Sequence, residues 1–371
     1  DFCLSRGLGD VYKRQPFSGG ILLSYKCTNA CEHCMYACSP RWKDDWININ
    51  DAEKILTQLS KILAKKYPKG FSQLGVNLGV HFTGGEPFLN FNLLLELTKI
   101  ANRLEIPSPF GETNCFWCVD DEKTEEKLSK LRDEGLRGIL ISANPFIVEQ
   151  IPFERIERAI VISRKVFGRN VMIYHDLFYN QLRSLSVKGT LRFNDYLRLM
   201  RDKDRLSLYE SLSFPSILPM GRTPYKLGHI YKKYPAKFFF RDSCMEELTR
   251  DWHIHIDNYC NYITGYCAGI SLGDARDIYA ICQGIDLDDR PIIGFLASPR
   301  GIEKLFKFGV EEFGYKELED GYVSKCHLFV DVRKNILEQS DEFKELKPGE
   351  FYHNLLYDSE SSVKFGDKYR T

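Results

Sequence analysis

The sequence predicts an α/β fold, a partial (β/α)6 TIM-like barrel followed by a smaller, cysteine-rich α+β domain at the C-terminal end. Three observations predict it. Short apolar runs alternate with amphipathic stretches from Gly20 to about Gly221, the pattern of parallel strands joined by crossover helices. The polar motifs fall where the apolar runs end, the face on which barrels place their chemistry. After residue 221 the alternation fades and five cysteines follow, Cys244, Cys260, Cys267, Cys282 and Cys326.

Taken in order, Ile21 to Tyr25 predicts the first strand. Asp51 is the expected N-cap of a helix to Tyr67 whose apolar face holds Ile55, Leu56, Leu59 and Ile62. Val76 to Phe82 is the second strand and Asn90 to Arg103 its returning helix. A third strand closes at Glu112, Thr113 and Asn114, with a helix from Glu122 to Glu134. Gly138 to Ser142 is the fourth strand, Pro152 to Phe167 the next helix, and Val171 to His175 the fifth strand. A sixth strand is expected near Tyr209 to Leu218. The segment Leu177 to Leu206 is charged and irregular, an insertion or lid. Strands this apolar are covered on both faces.

Residues 5–15 read as a translated sequencing adapter rather than protein. The expected organisation is therefore 1–15 artefact, 16–221 barrel and 222–371 appended domain with a C-terminal tail. With Arg6, Lys13 and Arg14 set aside from 51 basic residues, and Asp1 and Asp10 from 51 acidic ones, 48 and 49 remain. Such balance leaves a nucleic-acid partner unsupported, and no apolar run approaches the ~18 residues of a membrane span. Without Cys3 eleven cysteines are left. An odd number, clustered at motifs, favours metal ligation in a reducing, cytoplasmic setting over disulfides.

The densest cluster is CTNACEHC, with Cys27, Cys31 and Cys34 at unequal spacing, and Gly84-Gly85-Glu86-Pro87 ends the second strand. Zinc would want a fourth ligand nearby, for which Cys38 or His33 stands ready. Three thiolates on a cubane of four irons instead leave one iron open. Glycines at a strand end permit close approach of backbone to a ligand, and Glu86 adds a charge suited to an ammonium group. Together these motifs resemble the radical S-adenosylmethionine (SAM) enzymes. The resemblance implies that Cys27, Cys31 and Cys34 hold a 4Fe-4S cluster whose open iron chelates SAM, and that Gly84, Gly85, Glu86 and Pro87 meet its methionyl amine. It also implies a ribose contact from Ser142, with Asn144 as competitor, and places His33 where the family carries a ring near the adenine. Thr113 and Asn114 end the third strand, where a cofactor or substrate contact and an ordinary turn or cap are equally open. Cys115 and Cys118 in CFWC invite a redox or second-metal role against a plain core role.

The run His255 to Cys267 reads as a β-hairpin and resembles the hairpin of SPASM or twitch extensions. Cys244 and Cys267 fit the two cysteine places of that pattern, whereas Cys260 stands where glycine is expected, and Phe329 replaces the second cysteine of a CxxC begun by Cys326. The resemblance implies one auxiliary 4Fe-4S cluster on Cys244, Cys267, Cys326 and either Cys260 or Cys282. His253, His255 and Asp257, at period two, offer an alternative metal set against a structural role. The enzyme so implied cleaves SAM reductively to a 5'-deoxyadenosyl radical that abstracts hydrogen from a peptide or small-molecule substrate, with an electron donor such as flavodoxin or ferredoxin. The alternative is a non-catalytic iron-sulfur electron carrier or metal-binding module.

Overall fold

A computed structural model describes residues 15–213 and 216–357. Apart from Gln15, the adapter-like segment lies outside them.

One sheet of seven strands organises the chain: β1 (Ser18–Leu22), β2 (Gly79–Thr83), β3 (Phe110–Thr113), β4 (Gly138–Ser142), β5 (Val171–Tyr174), β6 (Ile254–Ile256) and β7 (Tyr262–Ile263). Their spatial order is β5-β4-β3-β2-β1-β6-β7, and every pairing is parallel except the β6–β7 hairpin. The sheet is open, with β5 and β7 at its edges, so the fold is the α/β partial barrel. Helices α1 (Ile49–Lys66), α2 (Phe91–Arg103), α3 (Asp121–Asp133), α4 (Pro145–Val148) and α5 (Phe153–Phe167) alternate with the first five strands.

The expected strands return within about three residues. β1 ends earlier than expected because Leu23 to Tyr25, though buried, run past the ladder, where Leu23 N–H donates to the Thr83 carbonyl at 2.9 Å. The cap of α1 is Asn48, not Asp51: its side chain accepts from the amides of Asn50 and Asp51, leaving Asp51 in the first turn, where an acidic group favours the helix dipole. Ile55, Leu56, Leu59 and Ile62 are buried as read, each worth about 1.5–3 kcal/mol of hydrophobic stabilisation.

Two expectations are corrected. No strand forms between Tyr209 and Ser213. Asp204 caps the Ser207 amide at 3.0 Å and opens helix α8 (Arg205–Ser211). The sixth parallel strand is instead β6, on the other side of β1, where Gly19, Gly20 and Ile21 pair with Ile254, His255 and Ile256. The hairpin assigned to the tail domain thus extends the main sheet. The segment Leu177 to Leu206 is not irregular either. It forms α6 (Asp176–Ser184), α7 (Phe193–Lys203) and the start of α8. Phe178 and Leu182 of α6 and Phe193, Tyr196 and Met200 of α7 are buried while the charges face out. Tyr196 hydroxyl to Gln181 joins the pair.

Candidate functional site

The cysteine loop leaves the end of the β1 chain and is closed at its base, with Cys27 N–H donating to the Ser39 carbonyl at 3.2 Å. Its interior turns follow from Cys34 N–H to Cys31 O at 3.1 Å and Ala37 N–H to Cys34 O at 3.3 Å. What fixes the loop is Arg222. Wholly buried, it donates to the carbonyls of Cys31 (2.8 Å), Ala37 (2.7 Å), Cys38 (3.1 Å) and Asn354 (3.2 Å). The guanidinium spends its donors on backbone, and its charge favours the thiolate at Cys27, Cys31 and Cys34 alike.

The three sulfurs lie close enough to act on one another. Burial pushes Cys27 up to about 12, with Glu86 and Cys34 adding to it, and pushes Cys31 up with help from Cys27 and Cys34. Cys34 moves down to about 6, chiefly through a hydrogen bond with Cys38, whose amide also donates to its sulfur at 3.3 Å. Two buried polar atoms beside the loop, Asn29 Nδ2 and His33 Nδ1, have no hydrogen-bond partner. Three thiols, a cation that favours their ionised form and two orphaned polar atoms fit an iron-sulfur cluster with a polar ligand.

The Gly-Gly-Glu-Pro turn is bonded directly to this loop. Gly85 N–H donates to Ser24 O at 2.8 Å and Glu86 N–H to Lys26 O at 3.0 Å. A Cβ at Gly84 would lie 2.4 Å from the Ser24 carbonyl oxygen and one at Gly85 2.0 Å from that of Lys26, so both glycines are required by the neighbouring chain before any ligand is considered. Glu86 is buried and caps the 3-10 turn that begins at Pro87: Oε1 accepts from Phe88 N–H (3.1 Å) and Thr113 Oγ1 (3.0 Å), Oε2 from Asn114 N–H (2.7 Å). Burial raises its carboxyl to about 7 despite these bonds.

Asn114 closes the circle. Its Nδ2 donates to Thr28 Oγ1 at 2.8 Å and reaches Cys27 Sγ at 3.7 Å. On the β4 side Asn144 caps α4 by accepting from Ile147 N–H at 3.1 Å, and its Nδ2 lies 3.5 Å from His33 Nε2. His33 stacks on Phe146 with ring centroids 4.4 Å apart, and burial lowers it to about 4. Ser142, half-buried, ends β4 beside Tyr174. Cys27, Cys31, Cys34, Glu86, Asn114, Asn144 and His33 therefore share one mouth.

The C-terminal cysteines divide. Cys244 precedes the helix Met245–Thr249, Cys267 follows the hairpin and Cys326 lies in the first turn of the helix Lys325–Leu337. Each of Cys244 and Cys326 is pushed up by burial and then by Cys267, and both feel the Lys325–Glu247 ion pair, 2.7 Å across. Cys260 is elsewhere, its neighbours being Asp51, Arg276 and Asp274. Its φ of +65° is the left-handed backbone that explains the glycine expected there. Cys282 is buried on the helix Ile278–Gln283, near Tyr262.

His253, His255 and Asp257 do not form a metal set. Asp257 Oδ1 accepts from the amides of Tyr259 (3.0 Å) and Asn261 (2.8 Å), and Oδ2 from Tyr25 hydroxyl and Asn261 Nδ2 (both 3.0 Å), which is the role of a hairpin organiser. Cys115 and Cys118 are fully buried beneath Trp117, which stacks on Phe88 at 4.3 Å.

No family model matches the chain. Over 145 residues it is 23% identical to "Putative peptide biosynthesis protein YydG" of Bacillus subtilis strain 168, a stretch covering 39% of this chain and 41% of that protein. The chain thus spans less than half the length of that relative. Among solved structures it is similar to BtrN in complex with AdoMet and 2-DOIA, at 14% identity and a TM-score of 0.41 over 80% of this chain and 91% of the other. It is similar also to anSMEcpe with bound AdoMet and Cp18Cys peptide, at 12% identity and a TM-score of 0.40 over 87% and 96%. The cysteine loop and the Gly84–Pro87 turn, bonded to each other here, are the motifs by which the chain resembles the radical SAM enzymes.

Sequence reasoning missed Arg222, which no local pattern marks, because its partners stand 184 or more residues before it and 132 after it. It also passed over Gly20, where a Cβ would lie 2.5 Å from His81 Nε2 and 2.6 Å from His255. A glycine inside a strand was the available signal.

Proposed function

We propose that this chain is a radical SAM enzyme acting on a peptide. The observation that carries the reading is the direct bonding of the two motifs: the glycine-acidic turn accepts its position from Ser24 and Lys26, next to the cysteine loop, and Asn114 reaches from the Glu86 carboxylate to Thr28 and Cys27. Cys27, Cys31 and Cys34 would hold the 4Fe-4S cluster. When bound, cluster and SAM supply reductive C5'–S cleavage and hydrogen-atom abstraction.

The chain's own residues do the rest. Arg222 keeps the loop carbonyls occupied, so the loop holds its shape as sulfur charge changes. Glu86, Asn114, Ser142 and Asn144 line the mouth with groups suited to the amine, carboxylate and ribose of SAM, and His33, neutral and stacked on Phe146, offers a flat face for the adenine. Cys244, Cys267 and Cys326 would hold one auxiliary cluster. A peptide substrate is supported by the peptide-biosynthesis name of the Bacillus subtilis relative. A flavodoxin or ferredoxin is the electron donor this chemistry calls for, and a reducing cytoplasm is the setting in which thiols stay free to act as ligands. Among the described residues no helix is long and apolar enough to cross a membrane.

The test is anaerobic reconstitution with iron and sulfide, then dithionite and SAM. Release of 5'-deoxyadenosine supports the enzyme, whereas an iron-loaded chain that leaves SAM intact is an electron carrier and the proposal fails.

A further inference from the structure

The inner face of the sheet carries a polar layer of which the mouth uses only Ser142. Gly20 pairs with His81 on one side and His255 on the other, and His81 pairs with Phe110. Strand residues two apart share a face, which puts Thr83 and Glu112 one step further along it, followed by Ser142 and Tyr174. The opposite face holds Val80, Phe82, Ile139 and Ile141, all buried. The side chain of Glu112 keeps 25% of its exposure, and Tyr174 keeps 39%, so this layer is open to a ligand.

Glu112 is held by two neighbours, and burial raises its carboxyl to about 7, so a cation brought beside it would favour its charged form. Its Oε2 accepts from Thr83 Oγ1 at 2.5 Å, and Oε1 lies 3.5 Å from His81 Nε2. His81 is buried, with its Nδ1 unpartnered, and burial drives it down to about 3, with His253 adding to the effect. It brings Glu112 no positive charge. Among the described residues Glu112 forms no ion pair with Lys or Arg. The charge of Glu112 is felt by Tyr36 and Tyr174, both of which also feel Tyr266. A carboxylate without a cation, in aromatic company, is the environment that binds ammonium or guanidinium groups.

We propose that Glu112 is the substrate-anchoring group of the chamber, receiving a protonated amine or guanidinium carried by the peptide. Thr83 orients its carboxylate, Gly20 leaves room for the histidines beneath it, and Tyr174 borders the cation. The inference deepens the peptide reading given under Proposed function and rests on it.

The experiment is calorimetric titration of the full-length chain with Nα-acetyl-lysinamide, Nα-acetyl-argininamide and the neutral Nα-acetyl-norleucinamide. We expect the better cationic probe to bind about tenfold more tightly than the neutral one, and the preference to vanish in Glu112→Gln. The lysine and arginine arms distinguish amine from guanidinium. Equal binding of charged and neutral probes, no binding of either cation to the wild-type chain, or a preference that survives Glu112→Gln overturns the proposal. Should that variant fail to fold, carbodiimide labelling of Glu112 in the wild-type chain replaces it: slowing by the cationic probe and not by norleucinamide supports the site, and equal labelling rates sink it. Formation of 5'-deoxyadenosine by the wild-type chain reports on the enzyme reading alone, so the two failures are separable.

Discussion

The proposed function assigns the chain two sets of three cysteines, and they are built differently. Cys27, Cys31 and Cys34 come from one loop, whose carbonyls are gripped by a buried arginine. Cys244, Cys267 and Cys326 come from a helix start, a hairpin exit and another helix start, with Lys325 and Glu247 near Cys244 and Cys326 and Arg333 near Cys326. The first group is local and needs one remote clamp. The second exists only once three separate segments have packed.

The largest expected effect is all-or-none. Cys31→Ala should abolish 5'-deoxyadenosine formation while leaving the C-terminal group able to take up iron, read by iron analysis. Next comes the clamp. Arg222→Met leaves buried carbonyls without donors, and about 3–5 kcal/mol of stability should be lost in denaturant unfolding, together with iron at the first group. Cys267→Ala should cut bound iron by about four per chain and leave the first group loaded. Cys282→Ala should leave the iron content unchanged, and a loss of iron there would break the division between the two groups.

The smallest effect is a pH slope. Glu86 is raised by burial to about 7, so between its ordinary 4.5 and 7 the folded chain holds more protons than the unfolded one, and stability falls as pH rises. His33, His81 and His253, all lowered by burial, act in the opposite direction. The test is therefore a difference. Relative to Glu86→Gln, the iron-free wild-type chain should lose up to about 3 kcal/mol between pH 4.5 and 7, measured by denaturant titration. A pH-independent difference would show that Glu86 is not desolvated.

Much of this was legible in the residues. Five strands and their helices follow from periodicity, because each buries a continuous apolar stripe, and the first cysteine group follows from spacing. The sixth strand was not, because Ile254–Ile256 is only three residues long and its partner β1 lies more than 230 residues earlier. Cys260 shows the limit well. Its place as a glycine substitute was readable and its φ agrees, yet nothing local said that its sulfur faces Asp51 and Arg276 instead of Cys244. The role of Glu112 was hidden for the same reason: Thr83 and His81 reach it across a strand pairing, which sequence distance does not reveal.

That β6 seats itself against β1 has a consequence for biogenesis. While the chain is emerging from the ribosome, the outer edge of β1 stays bare until residues beyond 250 have been made, and a bare strand edge invites wrong partners. A product ending at 221 would keep the cysteine loop and the glycine turn, yet lack both the arginine that clamps the loop and the strand that shields its root. The tail is thus a chaperone in cis for the head.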